Sequence, residues 1–280
     1  MKKIILTTDF SENAWNAIFT ALKVYAKVPC QFYILHAYEP AVLNVLGKKS
    51  QQRLGVIYDS LSTYSEQELE EILKYLKINH LNPKHHFTSI SKSGTLEEAI
   101  STVIFENDID LIIMGTQGAS GAKEVFLGSN TVKVIKSIKN TPLLAVPVGY
   151  NFQKLKTIVL ATDFMLPYKK HELDQLIALA SIWSAKIEIV HVTVASTLND
   201  AQKANRSTLE GRLEAFDFQF KDIPFEVNIS NSVIKYIANK PSCILGIIRH
   251  QHTFWEKVIG EPVVKKIAFH SQIPVLFLPE

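Results

Sequence analysis

LIIMGTQGASGAKEVFLGSNTVKVI, residues 111–135, joins a short apolar run to a cluster of glycines. The apolar run ends at Gly115 and is typical of a strand that is buried on both faces. Three more glycines follow, at Gly118, Gly121 and Gly128, so this stretch holds four of the eleven glycines in the chain. A pattern typical of a helix begins after the last of them. A buried strand, a glycine-rich turn and a helix form the repeating unit of a parallel α/β sheet.

The same alternation extends outward through the first half of the chain. Strands are predicted at Lys3–Thr8, Phe32–Ala37, His86–Ser91, Leu111–Met114 and Leu143–Val146. Helices are predicted after Ser11, over Ser65–Leu81, over Thr95–Asn107 and over Asn130–Ile138. Ser11 is a suitable N-cap, and Glu98 follows Thr95 at capping-box spacing. The segment Ala41–Ser62 is predicted as a long irregular connection.

The chain contains an internal repeat. KKIILTTDFS, from Lys2, resembles LKTIVLATDFM, from Leu155. QFYILHAYEP and KIEIVHVTVA form a second pair, and NTPLLAVP and SQIPVLFLP form a third, all in the same order. The repeat predicts two tandem doubly wound α/β domains with parallel sheets, residues 1–149 and 154–280, joined by a short polar segment.

Composition excludes several classes of protein. The 280 residues are 47% hydrophobic and 20% charged, with 30 basic and 27 acidic side chains and a net charge of +3. This balance is too mild to indicate nucleic acid as a partner. The apolar runs are too short for a membrane span or a secretory signal, so we expect a cytoplasmic protein. Cys30 and Cys243 lie in apolar surroundings, and we expect two buried free thiols.

The glycine cluster has two interpretations. In open parallel sheets, ligands bind beyond the carboxyl ends of the strands, where the strand order reverses. Glycines permit positive φ angles and close backbone approach, and the hydroxyls of Ser129 and Thr131 stand at a helix start that favours anions. These are the properties of a phosphate site, although the spacing matches neither a P-loop nor a dinucleotide fingerprint. The alternative is a turn that holds no ligand.

The spacing of the glycines favours a phosphate site over a turn that holds no ligand. Gly115-x2-Gly118-x9-Gly128-Ser129 resembles the nucleotide-binding signature of the universal stress protein family. ILTTDFSENAWNAI, YILHAYEP, DIDLIIMGTQGASG and NTPLLAVP are also similar to successive parts of that family, and the second copy resembles it more weakly. The resemblance implies Rossmann-like, adenine nucleotide alpha hydrolase-like domains that form a pseudo-dimer.

The resemblance also implies an adenine nucleotide, ATP or AMP, with Mg²⁺ as its counterion. Asp9 would contact the nucleoside, flanked by Thr7, Thr8 and Phe10, and Ala37 would meet the adenine through its backbone. Met114 and Gly115 would lie along the ribose or the adenine. The phosphates would be held by Gly118, Gly128, Ser129, Asn130 and Thr131. Gln117 stands where many relatives have another polar residue. Helix capping beside Ser11 is the alternative role for Asp9.

The second copy has lost this signature. Alignment on Pro142 and Pro274 places Ile247 opposite Gly115, His250 opposite Gly118 and Gly260 opposite Gly128, and Glu261 replaces Ser129. Asp163 remains. A carboxylate at that helix start would repel phosphate, so one nucleotide site per chain is expected. The sequence RHQHTFW, from Arg249, lacks the ligands that complete a zinc site, and no metal site is predicted.

Three functions are compatible with this sequence. The first is a regulatory stress protein that binds a nucleotide, and no catalytic residue is assigned to it. The second is a slow ATPase or phosphoryl-transfer enzyme, for which Lys123 and Glu124 are the charged candidates. The third is an interaction protein with no nucleotide. Family members usually pair through their last strands, which predicts Leu143–Val146 against Val275–Leu278 within one chain. Association of whole chains into a homodimer is left open.

Overall fold

The structure is a computed structural model that describes residues 1–39, 48–117, 128–194, 197–249 and 271–279. The first half forms, in chain order, β1 (Lys2–Thr7), α1 (Glu12–Val24), β2 (Cys30–Tyr38), α2 (Lys48–Asn79), β3 (His85–Ser93), α3 (Leu96–Asn107), β4 (Leu111–Gly115), α4 (Ser129–Ser137) and β5 (Leu143–Val146). The second half forms β6 (Thr157–Ala161), α5 (Lys170–Trp183), β7 (Lys186–Thr193), α6 (Asp200–Leu213), β8 (Phe218–Pro224), α7 (Ile229–Ile237), β9 (Cys243–Ile248) and β10 (Val275–Leu278).

These strands form one sheet in the order β3-β2-β1-β4-β5-β10-β9-β6-β7-β8. Neighbouring strands are parallel, except β5 and β10. Counted outward from the centre, both halves have the same order, so the predicted repeat is a repeat of the fold. The chain runs from β1 to β2 and β3, then returns to place β4 on the other side of β1. The predicted doubly wound α/β class is confirmed, and β1 and β4 flank a switch point.

The two halves meet where their last strands pair. β5 and β10 run antiparallel, with Val275 opposite Ala145, Leu276 opposite Leu144 and Phe277 opposite Leu143, which confirms the predicted pairing. Helices α1 and α5 add polar contacts to this boundary. Gln175 Nε2 donates to the hydroxyl of fully buried Tyr25 at 2.5 Å, and Trp183 Nε1 donates to the carbonyl of Val24 at 2.9 Å. The halves are therefore packed on each other.

Apolar runs and helix caps in the sequence correctly predicted several of these strands and helices. All four residues of the predicted strand Leu111–Met114 are buried, as expected for a central parallel strand. Ser11 caps α1 by accepting from the Ala14 N–H at 3.3 Å. Thr95 and Glu98 form the predicted capping box at α3. Both caps fix helix starts directly behind strand ends, and this sets the geometry of the loops at that edge.

Helix α2 corrects one prediction. It begins at Lys48, so residues 48–62 are helical and not an irregular connection, and Ser65 lies inside the helix. Polar residues dominate this part, which weakens the apolar periodicity, but residues such as Lys and Gln are good helix formers. The hydroxyls of Ser60 and Thr63 donate to carbonyls four residues earlier and so leave the helical backbone intact. Residues 41–47 lie outside the described ranges.

Both cysteines are free and buried, as predicted. Burial raises the pKa of the Cys30 and Cys243 thiols to about 12, so neither forms a thiolate at neutral pH. They contribute to the core as small apolar side chains. Within the described ranges, no helix is both long and apolar enough to cross a membrane.

Candidate functional site

A cleft opens at the carboxyl ends of β1, β2 and β4. Its volume is about 290 Å³, near the lower end of the range for small-molecule sites. Every predicted site residue except Phe10 and Gly118 lines it: Thr7, Thr8, Asp9, Ala37, Met114, Gly115, Gln117, Gly128, Ser129, Asn130 and Thr131. Gly118 lies outside the described residues. Segments more than 100 residues apart in sequence therefore meet at one place.

The loop after β1 is held by its own side chains. The Thr8 hydroxyl accepts from the Phe10 N–H at 3.0 Å, and Phe10 has a φ angle of 65°. Asp9 Oδ1 accepts from the Ser11 N–H at 3.2 Å and from the Ser11 hydroxyl at 2.6 Å. Asp9 thus takes part in the helix start and also lines the cleft, where it is the one charged residue of the described lining.

Phe10 is the described site residue that does not line the cleft. Its ring lies 4.4 Å from that of His36 and 5.8 Å from that of Tyr64, measured between centroids. Burial lowers the pKa of His36, although the carboxylate of Asp9 acts in the opposite direction. His36 Nδ1 is 2.8 Å from the Ser65 hydroxyl, so this histidine is a neutral structural group that supports the loop and the adjacent Ala37.

Gly115 is required by a neighbouring helix. Its φ angle is not positive, so of the two properties that glycine permits, close backbone approach is the one used here. A Cβ atom would lie 2.9 Å from Asn13 Cγ and 3.1 Å from the Asn13 carbonyl oxygen, both on α1. Asn13 Nδ2 also donates to the Gln117 carbonyl at 3.0 Å. The first turn of α1 therefore positions the end of β4 from behind.

Helix α4 directs its N-terminus into the cleft. Gly128 is the N-cap, and among the described residues no side chain caps this end. An α-helix leaves its first N–H groups without intrahelical acceptors, and here these belong to Ser129, Asn130 and Thr131. The Thr131 hydroxyl donates to the Gly115 carbonyl at 3.0 Å and ties the helix to β4. N–H groups without intrahelical acceptors, the positive end of a helix dipole and the side chains of Ser129 and Asn130 suit an anion.

Ala14 and Leu96 also line the cleft, and the sequence interpretation did not include them. Ala14 lies in the first turn of α1, and Leu96 is the first residue of α3. A sequence signal existed, because Leu96 directly follows the capping residue Thr95 and Ala14 is three residues after the capping residue Ser11. Helices that follow parallel strands all begin at the same edge of the sheet, so their first residues surround the same cleft.

Strand register corrects the alignment of the second copy. Ile112 pairs with Leu143 in the first half, and Leu245 pairs with Val275 in the second. Carried along the strands, this pairing places Ile248, and not Ile247, opposite Gly115. The proline-based alignment was wrong by one residue because the connection from this strand to the last strand is one residue shorter in the second copy. A bulky isoleucine still stands at the position that Gly115 has in the first copy.

The loop after β6 keeps the backbone of its counterpart but is held by different groups. Phe164 has a φ angle of 56°, like Phe10, and packs on His191 at 5.4 Å. Gln202 Nε2 donates to the Asp163 carbonyl and Asn205 Nδ2 to the Phe164 carbonyl, both at 2.8 Å. Helix α6 is thus bonded directly over this loop. His250, Gly260 and Glu261, the other positions of the degenerate signature, lie outside the described residues.

Known protein sequences that are similar to this chain belong to one family. A sequence model of the Universal stress protein family matches residues 1–147. Universal stress protein MJ0577 of Methanocaldococcus jannaschii is 30% identical over 165 residues, which cover 52% of this chain and 94% of that protein. Universal stress protein MJ0531 of the same organism is 25% identical over 145 residues, which cover 52% of this chain and 81% of that protein.

Two solved structures match the chain over nearly its whole length. A universal stress protein from Archaeoglobus fulgidus DSM 4304 superposes with a TM-score of 0.67, covering 99% of this chain and 96% of that chain at 14% identity. Protein PA1789 from Pseudomonas aeruginosa PAO1, of unknown function, gives a TM-score of 0.60, covering 100% and 92% at 11% identity. At these identities the similarity shows the fold alone, and it extends across both halves.

Proposed function

Because the family match spans more than half of the chain, the protein belongs to the universal stress protein family, and we propose that its first half binds an adenine nucleotide, ATP or AMP. The observation that supports this proposal is the cleft beside the switch point. It combines a carboxylate at one strand end with a helix N-terminus that no described side chain caps. The first suits ribose hydroxyls, and the second suits phosphates.

The proposed roles follow from these positions. Asp9 accepts hydrogen bonds from the nucleoside, next to Thr7 and Thr8, and the Ala37 backbone meets the base. Met114, Gly115 and Gln117 form the wall between base and phosphates. Gly128, Ser129, Asn130 and Thr131 hold the phosphates through backbone N–H groups and side-chain donors. Mg²⁺ supplies countercharge to the phosphates, which the described lining does not provide.

We propose binding, and not turnover, as the function of this site, in a regulatory response to stress in the cytoplasm. Nucleotide occupancy would then bias a conformation or an association. The test is release of phosphate and ADP from ATP by the purified full chain with Mg²⁺. Turnover at about 1 s⁻¹ or faster, the lower end for ordinary enzymes, would contradict a purely regulatory role.

We further propose two domains, 1–149 and 154–280, packed as an intramolecular pseudo-dimer with one nucleotide site. The pairing of β5 with β10 and the α1–α5 contacts support the arrangement. The bonded loop after β6 and the bulk of Ile248 support an intact site in the first domain alone. Calorimetric titration should give one nucleotide per chain. A stoichiometry of two would refute the single site.

Two equivalent aspartates, Asp9 and Asp163, allow the proposed site to be tested with matched variants. Asp9 and Asp163 each accept a backbone N–H from two residues on, at 3.2 and 2.9 Å, so their amide variants disturb equivalent turns. Asp9→Asn should weaken nucleotide binding at least about tenfold, because hydrogen bonds to a charged group contribute more than neutral ones. Asp163→Asn should leave the affinity unchanged. Titration of both variants checks this, and equal losses would contradict a site confined to the first domain.

A further inference from the structure

Arg249 connects the second half of the chain to α4 of the first. It directly follows β9 and is 91% buried by neighbouring groups, since its exposed fraction is 9%. Its guanidinium donates to carbonyl oxygens in the last turn of α4 and just beyond: Ile135 at 3.4 Å, Ile138, Lys139 at 3.1 Å and Thr141 at 2.7 Å. Nε donates to the Leu278 carbonyl on β10 at 3.1 Å. One side chain thus joins the last strand of the second half to a helix of the first.

The partners of this cation are backbone dipoles. Among the described residues no carboxylate is close enough to form an ion pair with it. Burial lowers the pKa of Arg249 to about 10, which still leaves it charged at neutral pH. The last carbonyls of a helix have no intrahelical donors and carry the negative end of the helix dipole. A buried guanidinium with several donors satisfies both needs at once.

The C-terminal end of helix α4 is therefore held by Arg249, and its N-terminal end lies at the cleft. The helix is nine residues long, or about 14 Å, and its N-terminal residues line the cleft. The Thr131 hydroxyl bonds the N-terminal end to β4, and Arg249 bonds the C-terminal end to the second half. Because α4 is only about two and a half turns long, we expect a displacement of its C-terminal end to change the direction of its first N–H groups.

Equivalent positions in the two copies, Thr116 and Arg249, have different roles. The Arg249 N–H bonds Leu278 as the Thr116 N–H bonds Val146, so the two residues are equivalent in the repeat. In the first half this place begins the glycine-rich loop. In the second half it carries a cation that reaches across the boundary to the other copy. The second copy thus lacks the loop signature and has, at this position, a contact to the first copy.

We propose that Arg249 is a positioning residue for the cleft of the first half, and that the second half sets phosphate affinity there by holding α4. This inference rests on the proposed nucleotide binding and adds the structural role of the second half. It also predicts which ligands respond. AMP and ATP reach the N-terminus of α4, whereas adenosine has no phosphate to place there. A general loss of stability would not distinguish them.

The test compares ligands and variants in the full chain, well below the unfolding temperature. Arg249→Met removes the charge and the donors, and it should weaken ATP binding about tenfold while adenosine binding changes less than about twofold, the size of an ordinary coupling between sites. Arg249→Lys keeps the charge with fewer donors, so its loss should be intermediate. Hydrogen exchange of the α4 amides, without nucleotide, should be faster in both variants.

Arg206→Met is the matched control. Arg206 lies on α6 and stacks on Phe220 at 4.2 Å, within the second half, so its loss should leave both affinities and α4 exchange unchanged. If wild-type protein binds neither ATP nor AMP, the proposed function falls and this inference falls with it. If wild type binds ATP and both Arg249 variants bind it equally well, only the inference is overturned. Equal losses for ATP and adenosine would also overturn it.

Discussion

Replacing Ser129 with glutamate is expected to abolish nucleotide binding without loss of stability. Ser129 is the first residue of α4 and lines the cleft. A carboxylate there would be favourable for the helix itself, because negative charge near a helix N-terminus stabilises it by about 0.3–1 kcal/mol. The same charge would repel a phosphate within a few ångströms, and a loss of at least about 100-fold in affinity is expected. Binding and stability should therefore change in opposite directions.

Ser129→Gln separates charge from size. Glutamine occupies nearly the same volume as glutamate but carries no charge, so it should retain a larger share of the affinity. The measurements are calorimetric titration with ATP and thermal unfolding of each variant. Raising the salt concentration should recover part of the loss in Ser129→Glu alone, because salt screens exposed charges. Unchanged ATP affinity in Ser129→Glu would place the phosphates elsewhere.

Gly115→Val should cause the largest loss of stability, about 3 kcal/mol, as expected for overpacking a close contact. The added carbons would meet Asn13 Cγ and the Asn13 carbonyl oxygen, and α1 would have to move away from β4. Movement at this point also displaces Gln117, whose carbonyl is bonded by Asn13. Nucleotide affinity should therefore fall together with stability. Urea denaturation of the full chain gives the first quantity and titration the second.

A double variant tests the stated cause. Asn13→Ala removes the crowded amide together with its hydrogen bond to the Gln117 carbonyl, and the single variant measures the cost of that loss. Combined with Gly115→Ala, it should recover about 1 kcal/mol relative to the sum of the single changes. Gly211→Ala is the control, because a Cβ there meets nothing within 4 Å and should stabilise α6 by about 0.5–1 kcal/mol. Simple additivity of the first pair would exclude the Asn13 side chain as the obstacle and leave its backbone carbonyl.

Local patterns explain why much of the fold was predictable. Thr95 and Glu98 mark a helix start by their spacing alone, and Leu143–Val146 is bounded by prolines that strands tolerate at their ends. The start of α2 was missed because Lys48 and the polar residues after it form a helix without a strong apolar face. Propensity decides there, and it is a weaker signal than periodicity.

The site was predictable only where its residues follow a motif. Gly115 and Asp9 were assigned from sequence, and both line the cleft. The sequence indicated close backbone approach at Gly115 but not that Asn13 is the neighbour, because this contact depends on where α1 packs. Arg249 had no sequence signal at all, since its acceptors are backbone carbonyls that any residues can provide. Long-range contacts of this kind become visible only when the strand order is known.

The pairing of β5 with β10 within one chain affects which substitutions this boundary can accept. In a dimer of identical subunits with two-fold symmetry, every substitution at the interface appears on both sides. An arginine after the penultimate strand would then also replace Thr116, between two residues that line the cleft. A single chain that carries both copies is free of this constraint, because each copy mutates separately. In the proposal made above, one copy binds the nucleotide and the other holds α4, and a single chain with two copies permits such a difference.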